Sequence, residues 1–255
     1  MSAQSGSPDA CAIPGTPLAL ASAGIDACVH CGFCLQACPT YLALDDENDS
    51  PRGRIVLMRS LVDGSLPTTN EDVRTHIDRC LGCRACETAC PSGVPFGHLL
   101  EATRATLTAV RPNPLLARAI LFVFARRPLM HLAMFSGRVV RAFRLSRLFA
   151  GLPGRLGFAM AMLESTRTPI RRRPYVPRSN GSRGKVTLLT GCVMDGLFTE
   201  TNRATERTLA MNDYTVVPTE GQRCCGALHA HAGDAETARV LARAIDSAPS
   251  ARVIA

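Results

Sequence analysis

Along the first 110 residues, apolar positions come in short helical repeats separated by cysteine-rich loops. Ile55, Met58, Leu61 and Val62 recur at helical spacing, and Asp63-Gly64 supplies a stop. A second short helix is predicted over 71–78 and a third over 99–110, ended by Arg111-Pro112-Asn113-Pro114. From 115 to 163 the apolar positions are interrupted by Arg118, Arg126, Arg127, Arg138, Arg141, Arg144 and Arg147, which predicts two or three basic amphipathic helices. The stretch 168–184 is rich in Pro, Arg, Gly and Ser and reads as a linker. Beyond it the period changes. Strands are predicted at 186–190, 214–217 and 252–254, alternating with helices over 202–211 and 234–245, the signature of an α/β layer with parallel strands. The third strand runs into the last residues of the chain, so this unit is expected to be truncated relative to a full domain.

Charge sharpens the picture of the middle segment. The 255-residue chain has a net charge of +8, yet residues 111–183 carry 15 Lys/Arg against the single acid Glu164, a local net of +14. Residues 1–110 carry 7 basic and 12 acidic side chains and residues 184–255 carry 7 and 8. A localised basic surface suits a phosphate-bearing membrane or an acidic partner. Nucleic acid is disfavoured, because three Tyr, no Trp and no basic-aromatic interleaving leave nothing to stack bases. Two placements stay open for the basic helices: on a membrane surface, or against a partner subunit with arginines reaching to water. No run approaches the roughly 20 apolar residues needed to cross a bilayer.

The chain has 12 cysteines, and its start, MSAQSGSPDA, has neither the basic opening nor the apolar stretch of a signal peptide. A reducing, cytoplasmic setting is therefore expected, and the cysteines read as metal or cluster ligands rather than a disulfide framework. Eight of them form a repeat: Cys28, Cys31, Cys34 and Cys38-Pro39, then Cys80, Cys83, Cys86 and Cys90-Pro91. A cubane cluster needs four thiolates on its iron corners. Two-residue spacers let three cysteines of one loop reach three irons, and in two-cluster ferredoxins the Cys-Pro cysteine crosses to the other cluster. On that rule Cys28, Cys31, Cys34 and Cys90 hold one [4Fe-4S] cluster, and Cys80, Cys83, Cys86 and Cys38 the second. Zinc sites of four cysteines use Cys-x-x-Cys pairs but need neither the third cysteine nor the trailing Cys-Pro. Gly32 and Gly82 are expected to permit tight turns near sulfur, and Pro39 and Pro91 to redirect the chain.

Ala27 to Cys34, Cys38-Pro39-Thr40-Tyr41, Pro51-Arg52-Gly53-Arg54-Ile55, Arg79 to Cys83 and Cys86 to Val94 together resemble the iron-sulfur subunit of bacterial glycolate oxidase. The match is dense over 26–101 and resumes near 186. There Cys192 and, 31 intervening residues later, Cys224-Cys225-Gly226 are similar to the start of the cysteine-rich CCG domain, shared with heterodisulfide reductases and lactate-oxidising proteins. The resemblance implies Cys192, Cys224 and Cys225 as additional metal or cluster ligands of a four-ligand site whose remaining elements lie beyond Ala255. It also implies FAD-containing partner subunits that oxidise glycolate to glyoxylate, or D-lactate to pyruvate, with electrons passing through this chain to a quinone or other acceptor. The implied location is cytoplasmic, peripheral on the inner face of the cell membrane. The alternatives are a heterodisulfide-reductase-like subunit and the iron-sulfur subunit of a lactate or glycerol 3-phosphate dehydrogenase.

The expected fold class is α+β overall: a helical ferredoxin-like two-cluster domain over 1–110, a basic amphipathic helical connector over 111–167, the linker, and a partial α/β CCG domain over 185–255. His30 is expected on a solvent-facing loop, with donation to cluster sulfur as the alternative, and His229 and His231 on the surface, with lining of the second cysteine site beside Cys225 as the alternative. Arg52 and Arg54 have two readings that stand level: tuning of a cluster or contact with the flavin subunit, and a solvated turn before a helix. The chain has no Gly-x-Gly-x-x-Gly after a strand, no P-loop and no Gly-x-Ser-x-Gly, so no nucleotide, flavin or catalytic residue of its own is expected.

Overall fold

A computed structural model describes residues 14–165, 181–192, 194, 198–217, 224–246 and 252–254. Of the linker expected at 168–184, only 181–184 lies among them. The chain forms two compact units, Met1–Leu115 with Ala227–Ala238, and Leu116–Gly226 with Arg239–Ala255.

In the first unit, α1 (Pro17–Leu20) and α2 (Ser22–Asp26) lead into the first cysteine loop, and α3 (Pro39–Leu44) leaves it. A 3₁₀ turn (Glu47–Asp49) then feeds α4 (Pro51–Val62), followed by α5 (Glu71–Asp78). The second cysteine loop contains α6 (Ala85–Thr88), and α7 (Phe96–Val110) follows it. The starts of α4 and α5 are each fixed by a side-chain cap. The Ser50 hydroxyl accepts from the Gly53 amide with Pro51 in the first turn of α4, and the Asn70 side chain accepts from the amides of Asp72 and Val73. Gly53 is a glycine because a Cβ there would collide with the Glu47 carbonyl oxygen. The 99–110 helix begins three residues earlier than expected, since Pro95 serves as its N-cap and Phe96 is drawn into the core.

That core joins Leu18, Ile25, Ile55, Met58, Leu61 and Ile77 to Leu99, Leu100 and Leu107. Ile55, Met58 and Leu61 fall on one stripe of α4, as their spacing predicts. Each such buried side chain stabilises the fold by about 1.5–3 kcal/mol. Thr106, equally buried, is satisfied by accepting from the Leu18 amide at 3.2 Å and donating to the Ala102 carbonyl at 3.0 Å. The segment 227–238 packs with this unit through a short helix, α13 (Ala227–His231). Arg104 donates to the His231 carbonyl and Asn113 to that of Ala232, at 2.9 and 2.7 Å. His229 is consequently buried rather than on the surface as expected, because α13 lies against α7; His231 is exposed and faces Glu101 at 3.2 Å.

The second unit begins with four helices where two or three were expected: α8 (Leu115–Ala125), α9 (Arg127–Ala142), α10 (Leu145–Phe149) and α11 (Arg155–Ser165). Three breaks separate them, the first at the extended Arg126 ahead of Pro128. Arg144 adopts a left-handed conformation with φ 57°, and Gly151-Leu152-Pro153-Gly154 cannot continue a helix. Among the described residues no single helix is long and apolar enough to cross a membrane; α8 and α9 meet at a 107° bend. Leu115, Phe135 and Phe158 are 80%, 62% and 70% exposed. Glu164, the lone acid, accepts from the buried Ser146 hydroxyl at 2.7 Å.

The remainder is a parallel sheet of β1 (Lys185–Leu188), β2 (Thr215–Val216) and β3 (Arg252–Ile254) in the order β2-β1-β3, with α12 (Thr199–Met211) between β1 and β2. Val186, Thr187 and Leu188 are buried in succession, as befits a central strand covered on both faces. The parallel α/β layer expected from the alternation is present, and so is the largely helical first part.

Candidate iron-sulfur centres

Each cysteine loop is a run of tight turns. The Cys28, Leu35 and Cys38 amides donate to the carbonyls of Ile25, Gly32 and Leu35. The two loops take the left-handed conformation at the same two motif positions. His30 (φ 54°) corresponds to Gly82 (φ 65°), and Gly32 (φ 87°) to Arg84 (φ 59°). Each loop thus supplies glycine at one of the positions and strains a larger residue at the other, at about 1–2 kcal/mol. His30 is exposed, as expected. Arg84 is held by Glu87, which also accepts from the Gly97 amide and so ties the second loop to α7.

The loops face each other across two cavities. One, about 410 Å³ counting its mouth open to solvent, is lined by Cys28, Cys31 and Cys34 of the first loop together with Cys90 and Cys86 of the second. The other, about 300 Å³ on the same count, is lined by Cys80, Cys83 and Cys86 of the second loop together with Cys38 of the first. Each Cys-Pro cysteine therefore lies in the cavity of the opposite loop. Burial pushes the Cys86 thiol up to about 12, and the neighbouring Cys80, Cys34 and Cys38 act in the same direction. Burial raises Cys34 as well, against backbone amide hydrogen bonds that favour its anion. Thiolates crowded in a poorly solvated space require positive charge between them. Eight thiols converging on two adjacent cavities, with Cys86 in the wall of both, fit a pair of iron-sulfur clusters.

A buried polar network stands behind Cys38. Arg54, for which a solvated turn is one of two level readings, is fully buried, because α4 turns it inward beneath the first loop. Its Nη2 donates to Asp49 Oδ1 at 3.1 Å, Nε to the His76 carbonyl at 2.8 Å, and Nη1 to Thr40 Oγ1 at 3.0 Å. Asp49, also fully buried, accepts from Arg79 at 2.9 Å. His76 Nδ1 lies 3.2 Å from Asp49 Oδ1 without hydrogen-bonding geometry, so the contact is electrostatic. Desolvation raises the Asp49 carboxyl, but His76, Arg79 and Arg54 outweigh it and hold the group below the usual carboxylate range. Asp46, Asp49 and His76 bring ligand-type atoms within 4.8 Å of one another, yet the two arginines already supply the positive charge there. Arg52 is a third exposed and pairs with Glu47.

Arg104 was not singled out by the sequence. It donates to the carbonyls of Cys80 (2.7 Å) and Ile77 (3.1 Å), locking the start of the second loop to α7. The available signal was a lone arginine among the apolar positions of that helix. In the second unit, Cys192 Sγ lies 3.9 Å from Cys224 Sγ; Cys224 is buried and Cys225 partly so.

A 4Fe-4S dicluster domain family matches residues 24–94, and a cysteine-rich domain family, CCG, matches residues 186–254. The probable glycolate oxidase iron-sulfur subunit of Bacillus subtilis is 37% identical over 232 residues, 85% of this chain and 52% of that protein. The glycolate oxidase iron-sulfur subunit of Escherichia coli is 37% identical over 221 residues, 85% of this chain and 50% of that protein. A component of the dihydromethanophenazine:CoB--CoM heterodisulfide reductase of Methanosarcina barkeri is 30% identical over 97 residues, 32% of this chain and 24% of that protein. No solved structure matches. The chain spans about half the length of the two glycolate oxidase subunits it matches. Identity of 37% along 85% of the chain makes this protein similar to about half the length of each of these glycolate oxidase iron-sulfur subunits, and within that stretch it carries a 4Fe-4S dicluster domain and a cysteine-rich CCG domain.

Proposed function

We propose that the chain is the iron-sulfur electron-transfer component of a glycolate oxidase or dehydrogenase complex. In this reading an FAD-containing partner oxidises glycolate to glyoxylate, or D-lactate to pyruvate, and the electrons leave through this chain to a quinone or another acceptor. The observation that carries it is the pair of adjacent cavities lined by eight thiols, Cys86 being common to both. The proposed ligands are Cys28, Cys31, Cys34 and Cys90 for one cluster and Cys80, Cys83, Cys86 and Cys38 for the other. When bound, a [4Fe-4S] cluster takes up and gives back one electron at a time. The residues of this chain hold two such groups close together, with Cys86 in the wall common to both cavities. Substrate chemistry falls to the partner.

Anaerobic co-purification with the FAD-containing partner tests the proposal. The expected result is about 8 iron per chain with matching sulfide, and glycolate-dependent reduction of a quinone analogue that disappears when this chain is omitted. Stoichiometric zinc without sulfide, or undiminished electron delivery without the chain, would overturn it. A second reading, heterodisulfide-reductase-like, draws support from the approach of Cys192 to Cys224. It requires about 12 iron per chain, counting a third cluster, and turnover of a disulfide substrate.

We also propose that α8–α11 rest on the inner face of the membrane. The net +14 of 111–183 and the exposed Leu115, Phe135 and Phe158 support this placement. The complex is expected to sediment with anionic lipid vesicles at low salt and to be released as ionic strength rises. Failure to sediment at any salt concentration would rule the placement out.

A further inference from the structure

Two residues behind Cys38 make the two proposed centres chemically unequal. Cys38 Sγ lies 3.2 Å from Thr40 Oγ1 and 4.0 Å from Arg54 Nη1. It also approaches the Asp49 carbonyl at 3.7 Å, a contact that only a protonated sulfur can donate. A cluster ligand is a thiolate and only accepts, so ligation leaves Thr40 and Arg54 as its donors. Arg54 cannot swing away. Nε and Nη2 are tied to the His76 carbonyl and to Asp49, and the side chain is fully buried. The same guanidinium donates to Thr40 Oγ1, whose single proton goes to the Asp49 carbonyl at 3.0 Å while Cys38 is a thiol and turns to the sulfur, 3.2 Å away, once Cys38 is a thiolate. Of the groups around Asp49, Arg54 and Arg79 balance the carboxylates of Asp49 and Asp46, and the charge nearest this sulfur is the positive Arg54 guanidinium. Cys90, the corresponding cysteine of the second loop, has no hydrogen-bond donor to its sulfur among the described residues.

Hydrogen bonds to sulfur and nearby positive charge favour the reduced, more negative state of an iron-sulfur centre. We propose that Arg54 and Thr40, donating to Cys38 Sγ, raise the reduction potential of the centre held by Cys38, Cys80, Cys83 and Cys86 above that of its companion, making it the site where an electron rests between transfers. Both act through Cys38 as positioning residues. The inference rests on the ligand sets proposed above.

The test is an EPR-monitored redox titration of the complex carrying about 8 iron per chain. Cys38→Ser and Cys90→Ser first assign the two signals by perturbing one each. If Cys38→Ser alters the signal that Cys28→Ser also alters, the ligand sets fail, whatever Arg54 does. With the signals assigned, Arg54→Gln is expected to weaken reduction of the Cys38 centre at least tenfold, about 59 mV for a one-electron couple, with the other potential unmoved. Thr40→Val is expected to shift the same centre in the same direction by a smaller factor. It leaves the Arg54–Asp49 pair intact, so it decides the matter should Arg54→Gln lose iron. Arg59→Gln, which removes an exposed charge from the same helix, is expected to leave the Cys38 centre where it was. Unchanged potentials in Thr40→Val, equal shifts of both centres, or a shift confined to the Cys90 centre would each overturn the proposal.

Discussion

Cys38→Ala is expected to cost the chain the group bound by the second loop, Cys80, Cys83 and Cys86, while the group bound by its own loop stays. Iron should fall from about 8 to about 4 per chain, and the surviving EPR signal should be the one that Cys28→Ser perturbs. The expectation follows from the exchange between the loops, since Cys38 lines the cavity of the second loop and Cys90 that of the first. Three thiolates leave an iron corner open to water and to loss. Retention of the Cys80 group together with loss of the Cys28 group would show that each loop completes its own site. Cys90→Ala is the mirror experiment, with the opposite signal surviving.

Asp49→Ala should produce the largest loss of folding stability outside the cysteines. Asp49 is the only carboxylate paired with the fully buried Arg54 among the described residues, and it also holds Arg79. Removing it strands a guanidinium charge in the interior, at about 3–5 kcal/mol. Thermal unfolding followed by circular dichroism should register this as a large drop in midpoint, and an unchanged midpoint would refute the role. Replacing both partners, Asp49→Asn with Arg54→Gln, should recover much of the loss, because no unpaired charge remains. The pH dependence has a definite sign. The native Asp49 carboxyl lies below its ordinary value of about 3.9, so its contribution is full above that value and is lost as pH falls through the lower native one. Asp49→Asn should therefore flatten the acid limb of the stability curve below about pH 4.

Features spaced along one segment are legible in the sequence. Ile55, Met58 and Leu61 define the buried stripe of α4, and α5 occupies 71–78 as its periodicity and the Asn70 cap require. The three strands lie within two residues of their expected ends. Features that depend on what packs against a segment are not legible. His229 reads as a surface histidine in the sequence and is buried only because α13 lies against α7. Arg54 reads equally well as a solvated arginine and is buried because the first loop and α5 close over it. The left-handed His30 and Arg84 are hidden because each holds in one loop a conformation advertised by glycine only in the other. Alignment of the two copies position by position is the signal that exposes them.

The duplicated cysteine motif remains the firmest feature, and by itself the sequence determined its chemistry. Thiol ligands at two-residue spacing, a trailing Cys-Pro and the recurrence of both after about 50 residues are local facts, written in residue type and order. That Cys38 belongs with Cys80, Cys83 and Cys86 is expected from the two-cluster rule, and the cavity lining agrees with it; only the tertiary structure decided that a buried guanidinium stands behind Cys38 and not behind Cys90. That is a fact of long-range packing. Burial, hydrogen-bond partners and the field at a sulfur are set by segments tens of residues apart, and no spacing within one loop encodes them.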